Sequence, residues 1–401
     1  MTLSGVARRG AALVLCGAAL ALMAACGGTI NPRAASPTTQ VRAPRHADLE
    51  RVAVVPSPAV AGARCATPVQ VTGYAQDDWI GLARTLATAP PGCLQAWIGV
   101  PTIEGADHAW ITPAPHMKET FARLGPAVRP MPTVDFDDWS AWGTAHPGVS
   151  WLERGAIARR LMESAGYDFA AGDRWALNEV PIAAVTSQET RNALRDLLRG
   201  LQGAAGAPTG VAYAVIPIQA EGSVEAQAAA LRPLLQDRAF WAAADRALIT
   251  WSDEAYADVR NTCEPATSYL RQANALASYA FARQTIARDA ASGASPEARA
   301  VLERSVPLAN AAWRWSEAYG WTDVPADVMA TFVRVQVQAM ARPLAGGVSL
   351  AGGFAWAPKD ARGTQLATVA AALRDQLVAI NSVEMSVTPP PCSWPGARLG
   401  G

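Results

Sequence analysis

Apolar and polar positions along this chain switch repeatedly between two periods. Leu94-Gln95-Ala96-Trp97-Ile98-Gly99-Val100, opened by Gly92-Cys93, is a short apolar run of the kind that forms a buried strand. Runs at 173–180, 211–218, 247–251 and 352–357 predict four more strands. A sixth is expected over 127–136, although Pro130 and Pro132 interrupt it. Between these runs, apolar residues recur at helical spacing over 151–166, which ends in a glycine, over 187–202 and over 224–235. Strand followed by helix, several times over, predicts parallel strands in one sheet with helices outside it.

The stretch from about 265 to 342 reads as wholly helical, with helices over 268–291, 296–304, 308–315 and 327–342. A strand at Gly352-Gly353-Phe354-Ala355-Trp356-Ala357 and a helix over 364–380 follow, then a tail containing Pro389-Pro390-Pro391. Six strands fall short of the eight that a closed barrel needs. The expected fold is therefore α/β and (β/α)8 TIM-barrel-like, irregular or incomplete, with a helical insertion in which two strands are hidden or replaced. An open doubly wound sheet is the second expectation, though no Gly-rich phosphate turn follows any strand. No internal repeat is present.

The 401 residues suffice for one large or two ordinary domains, and at 50% hydrophobic and 17% charged the chain is too apolar to be disordered. Lys+Arg 34 against Asp+Glu 34 lacks the basic excess of a nucleic-acid binder. Arg8 and Arg9 precede an apolar run over 11–25, the layout of a secretory signal peptide and short for a membrane span. Leu22-Met23-Ala24-Ala25-Cys26 resembles a bacterial lipobox, which implies lipidation of Cys26 and a protein held at the cell envelope, on the outer face of the cytoplasmic membrane, or secreted. The expected organisation is a signal peptide over 1–25, anchor and Pro/Ala-rich tether over 26–63, a barrel-like domain over 64–385 and a tail over 386–401. The membrane would be met through the anchor alone.

In that oxidising compartment Cys65, Cys93, Cys263 and Cys392 predict two disulfides. Three pairings are possible. Cys65–Cys93 with Cys263–Cys392 is favoured because the first two flank one short segment. No CxxC or HExxH spacing accompanies the cysteines or the 4 histidines, so neither a metal nor another cofactor is expected.

The chemistry is concentrated where strands should end. In Trp175-Ala176-Leu177-Asn178-Glu179-Val180-Pro181 an apolar strand runs into two polar residues, at the carboxyl end that carries active sites in parallel α/β folds. This segment resembles the Asn-Glu signature of the large glycoside hydrolase clan built on (β/α)8 barrels. The resemblance implies that Glu179 is the general acid/base, with a pKa raised by partial burial, and that Asn178 binds a sugar hydroxyl. It covers about seven residues, and Val180 stands where clan members usually carry proline. The clan's nucleophile follows the seventh strand, and no seventh strand is evident. The best second carboxylate is Glu254, after Leu248-Ile249-Thr250-Trp251-Ser252-Asp253, with Asp253 and Asp258 as neighbouring substitutes.

Other residues complete the expected site. Asp135, with Asp137 and Asp138, ends the second expected strand, where it either lines a pocket or caps the next helix. The chain has 14 Trp residues, and Trp97, Trp139, Trp175, Trp251 and Trp356 lie on or just after strands. An indole face can stack on a pyranose ring, so these are candidate sugar platforms for a carbohydrate ligand; core filling is the alternative. Trp313, Trp315 and Trp321 read as helix packing. A non-catalytic envelope lipoprotein that binds glycan or a protein partner through the same aromatic groove is the rival expectation.

Overall fold

The computed structural model describes residues 65, 68–75, 79–100, 102–103, 112–113, 117–203, 206–214, 224–253, 283, 285–306, 308–310, 326–341, 351–356 and 363–379. All lie in the unit Ala53–Gly401. The expected signal peptide, tether and C-terminal tail fall outside them, as do Cys26, Cys263, Cys392, Glu254, Asp258, Trp313, Trp315 and Trp321.

A strand not expected from the sequence, β1 (Val69–Ala75), opens the sheet, on the alternation Val69-Gln70-Val71-Thr72. In chain order there follow α1 (Trp79–Leu86), β2 (Leu94–Val100), the short antiparallel pair β3 (Thr102–Ile103) and β4 (Thr112–Pro113), α2 (Met117–Ala122) and β5 (Val128–Asp135). Next are α3 (Phe136–Ala145), α4 (Trp151–Ser164), β6 (Trp175–Val180), α5 (Gln188–Gln202), β7 (Gly210–Ala214), α6 (Val224–Leu235), α7 (Arg238–Ala247) and β8 (Leu248–Asp253). The described part closes with α8 (Pro296–Leu302), β9 (Ser305–Val306), β10 (Leu308–Asn310), α9 (Ala326–Ala341), β11 (Ala351–Trp356) and α10 (Gly363–Ala379). The helix expected over 308–315 is corrected: its first residues are β10, and β9 lies just before it. Pro307 interrupts the run and alanines dilute it, so its strand character is weak in the sequence.

The sheet is curled and all-parallel, in the order β10-β11-β1-β2-β5-β6-β7-β8-β9. Its two outermost members are consecutive in the chain, separated by residue 307 alone, and Cα atoms of β9 and β11 come within 8 Å of each other. This is a barrel-like α/β fold. Pro130 and Pro132 are tolerated in β5 because its pairing with β6 begins only at Thr133, beyond both prolines.

Strand residues alternate between two cores. Trp97, Met131, Ala176, Val211, Tyr213 and Leu308 pack together on the inner face. Trp175, Leu177, Ala212 and Trp251 face outward and meet the helices. On α5, Leu194, Leu197, Leu198 and Leu201 share one fully covered face, each worth about 1.5–3 kcal/mol of buried side chain. Ser150 and Glu153 form a capping box that starts α4, and Ser187 caps α5. These two helices touch backbone to backbone. A Cβ on Gly155 would lie 2.3 Å from the Leu197 carbonyl oxygen, and one on Gly200 would lie 2.3 Å from that of Leu152. The Cys65–Cys93 disulfide ties the segment before β1 to the start of β2, as the sequence favoured.

Candidate active site

The carboxyl ends of β5 and β6 bring Asp135, Asp138, Asn178 and Glu179 together. Asp135 and Asn178 are register partners on adjacent strands. Asp135 serves two neighbours at once. Its Oδ1 accepts from the backbone N–H of Asp137 at 2.9 Å and of Asp138 at 3.3 Å, capping α3. Its Oδ2 accepts from Asn178 Nδ2 at 3.2 Å. Both alternatives weighed from the sequence, helix cap and part of a polar cluster, therefore hold for this residue. The amide of Asn178 is thereby oriented, and its Oδ1, buried, has no hydrogen-bond partner among the described residues.

Glu179 has the one positive φ among the described non-glycine residues, 53°. Along β6 the register to β7 shifts between Leu177 and Val180, so Asn178 and Glu179 together oppose a single residue, Tyr213. An extra residue of this kind is a β-bulge, which redirects side chains at strand ends and recurs beside active sites. A left-handed backbone is costly for a side chain with a Cβ and is kept only where the surroundings impose it. Glu179 is exposed, so the partial burial expected for it is corrected.

The perturbed carboxyl is instead Asp138, half-buried in the first turn of α3. Burial, and then the negative charges of Asp135, Asp137 and Glu179, push its pKa up to about 7. Burial raises Asp135 as well, opposed by the hydrogen bonds from Asn178, Asp138 and Asp137. A carboxyl that holds its proton near neutral pH is a group suited to acid/base catalysis. The sequence left Asp138, with Asp135 and Asp137, between lining a pocket and supplying helix-start charge; the clue available was that three acids in four residues lie at a strand end.

The other expected residues scatter. Asp253 ends β8 but is held by Arg283 Nε at 2.7 Å and by Trp251 Nε1 at 3.0 Å, both charges buried. Glu254, next in the chain, lies outside the described residues. Trp97, Trp139, Trp175 and Trp251 were expected as sugar platforms, and their positions correct that: all four are at most 3% exposed. Trp175 and Trp251 fill the layer between sheet and helices, Trp139 packs with them, and Trp97 points inside the sheet. Large rings are what the space between strands and helices needs, and a strand's alternation turns one residue in two that way. The backbone of Trp356 ends β11 beside Ala75, and its side chain lies outside the described residues.

Among the described residues no helix is long and apolar enough to cross a membrane. No protein-family model matches the chain, and no curated protein matches it.

Proposed function

We propose that the protein is a glycoside hydrolase acting on an envelope or extracellular glycan, held outside the cell by a lipid on Cys26. The reading takes β9 and β10 as one strand, interrupted at Pro307, that joins β8 to β11 and closes a ring of eight parallel strands. Counted from β1, Asn178 and Glu179 then end the fourth strand, the place of the Asn-Glu pair in the clan the segment resembles. The observation that carries the reading is the Asp138–Glu179 neighbourhood: a carboxyl protonated near neutral pH beside one displayed on a strained bulge. In the proposed reaction Asp138 passes its proton to Glu179, which delivers it to the departing glycosidic oxygen as the C–O bond breaks; the proton released when water adds to the anomeric carbon is taken up by the second carboxylate and returns through solvent to Asp138. Water supplies the hydroxyl of the new reducing end. Asn178 Oδ1 accepts from a sugar hydroxyl. With Asp253 engaged by Arg283, Glu254 is the second carboxylate.

A second reading, glycan binding without turnover, is favoured by one residue. Asn310 ends β10, where the clan carries its nucleophile. Hydrolysis of chromogenic glycosides and envelope polysaccharides separates the two. Turnover that falls by about 10²–10⁴-fold in Glu179→Gln, with Asp138→Asn altering the pH profile, supports the enzyme. Binding with no turnover in the unaltered protein supports the rival.

A further inference from the structure

The interior of the sheet, from the middle of β1 and β2 to the beginnings of β5 and β6, carries a polar set that the proposed catalysis does not use. Register places Thr72, Trp97 and Arg129 side by side on β1, β2 and β5. Trp97 belongs to the inner core, so this row faces the interior. Arg174, immediately before β6, lies over the Trp97 indole with its Cζ 3.3 Å from the ring centroid, and its Nη2 donates to Gln70 Oε1 at 3.1 Å. Arg129 sits close enough to act on Arg174: burial first, and then the Arg129 charge, press the Arg174 guanidinium down to about 10, still protonated at neutral pH.

Three features of this set point to a ligand. Neither arginine has a carboxylate partner among the described residues, so two like charges are half-buried together with no counter-charge there beyond the ring and amide contacts of Arg174. Two further groups in the same row are buried without a hydrogen-bond partner among the described residues: Trp97 Nε1–H, on a residue 3% exposed, and Thr72 Oγ1, on a residue 1% exposed. Beside Thr72 on β11 stands Gly353, a residue without a side chain. Two guanidinium groups, an indole N–H and a hydroxyl form a donor-rich set with net charge +2. Its complement is an anion with several acceptor oxygens.

We propose that this interior of the sheet binds a small oxyanion, a carboxylate or phosphate group, between Arg129 and Arg174, with Trp97 Nε1 and Thr72 Oγ1 as further donors. The site is separate from the carboxylate cluster, and its occupancy offsets the repulsion between the two arginines.

Isothermal titration calorimetry with inorganic phosphate, acetate and chloride tests this on the whole protein, beside Arg129→Gln, Arg129→Lys and Trp97→Phe. Among the described residues Arg129 makes no hydrogen bond or ion pair that its replacement would break, and thermal unfolding of each variant checks that it is folded. The expected result is one-site binding of phosphate or acetate, weakened about tenfold or more in Arg129→Gln and less in Arg129→Lys, with a smaller loss in Trp97→Phe. Preference for acetate assigns a carboxylate ligand, and preference for phosphate a phosphoryl group. Absence of heat with both at millimolar concentration overturns the proposal, as does an affinity unchanged in Arg129→Gln.

Discussion

Replacing Asp138 by Asn should change how stability depends on pH, in a direction and by an amount that the structure sets. The Asp138 pKa stands at about 7 in the folded chain, against an ordinary 3.8. Because the folded value is the higher one, the native state binds this proton more tightly than the unfolded state does. Stability from this group is thus full below pH about 4 and is lost as pH rises to about 7. At about 1.4 kcal/mol per pH unit the whole interval amounts to about 4 kcal/mol, and partial exposure to solvent reduces this to about 2 kcal/mol. Asp138→Asn removes the buried charge along with its repulsion from Asp135, Asp137 and Glu179. The variant should therefore gain about 2 kcal/mol over the parent at pH 8, gain little at pH 4, and show a flatter slope between. Urea unfolding at a series of pH values measures this directly, and a carboxyl-carbon NMR titration locates the pKa. A parent and variant with parallel pH profiles, or a carboxyl titrating near 4, would refute the electrostatic picture of the cluster.

Three further outcomes follow from the same geometry. Glu179→Gly should raise stability by about 1 kcal/mol by relieving the left-handed backbone while abolishing any hydrolysis; a lower melting temperature would show that the bulge is not strained. Arg283→Met should cost about 3–5 kcal/mol in urea unfolding at pH 7 by leaving the Asp253 carboxylate buried alone, with much of the loss recovered when Asp253→Asn is added. Gly155→Ala should lower stability by about 1–3 kcal/mol in thermal unfolding, because the added methyl meets the α5 backbone, and an unchanged melting temperature would show that α4 and α5 separate freely.

The strands most legible in the sequence are those with continuous apolar runs, such as β2 and the first half of β6, and the helices with a cap at one end and a glycine just beyond the other, such as α5. β1 is as long as β2 but less apolar: Gln70 and Thr72 sit on its inner face, so the continuous apolar run that advertises a buried strand is missing. β9 and β10 are illegible for a different reason. Their strand character comes from neighbours on both sides, β8 and β11, which are distant in sequence. Asn178 and Glu179 could be singled out because a polar pair ending an apolar run is a local event. That Asp138 is the perturbed carboxyl could not, since its pKa depends first on burial by the folded chain and then on charges that include not only Asp135 and Asp137 but also Glu179, 41 positions later.

Local chemistry in the chain alone therefore determined the alternation of strand and helix, the parallel sheet that follows from it, the helix caps, and the acids at the strand ends. Side-chain periodicity and capping act over a few residues, so one sequence displays them. Tertiary structure alone decided which way each tryptophan turns, where the curled sheet brings β9 and β11 together, and which acid keeps its proton. It also decided that two arginines share the strands' opposite end. Burial and Coulomb interactions depend on distance in space, and the groups they join here come from different strands and helices.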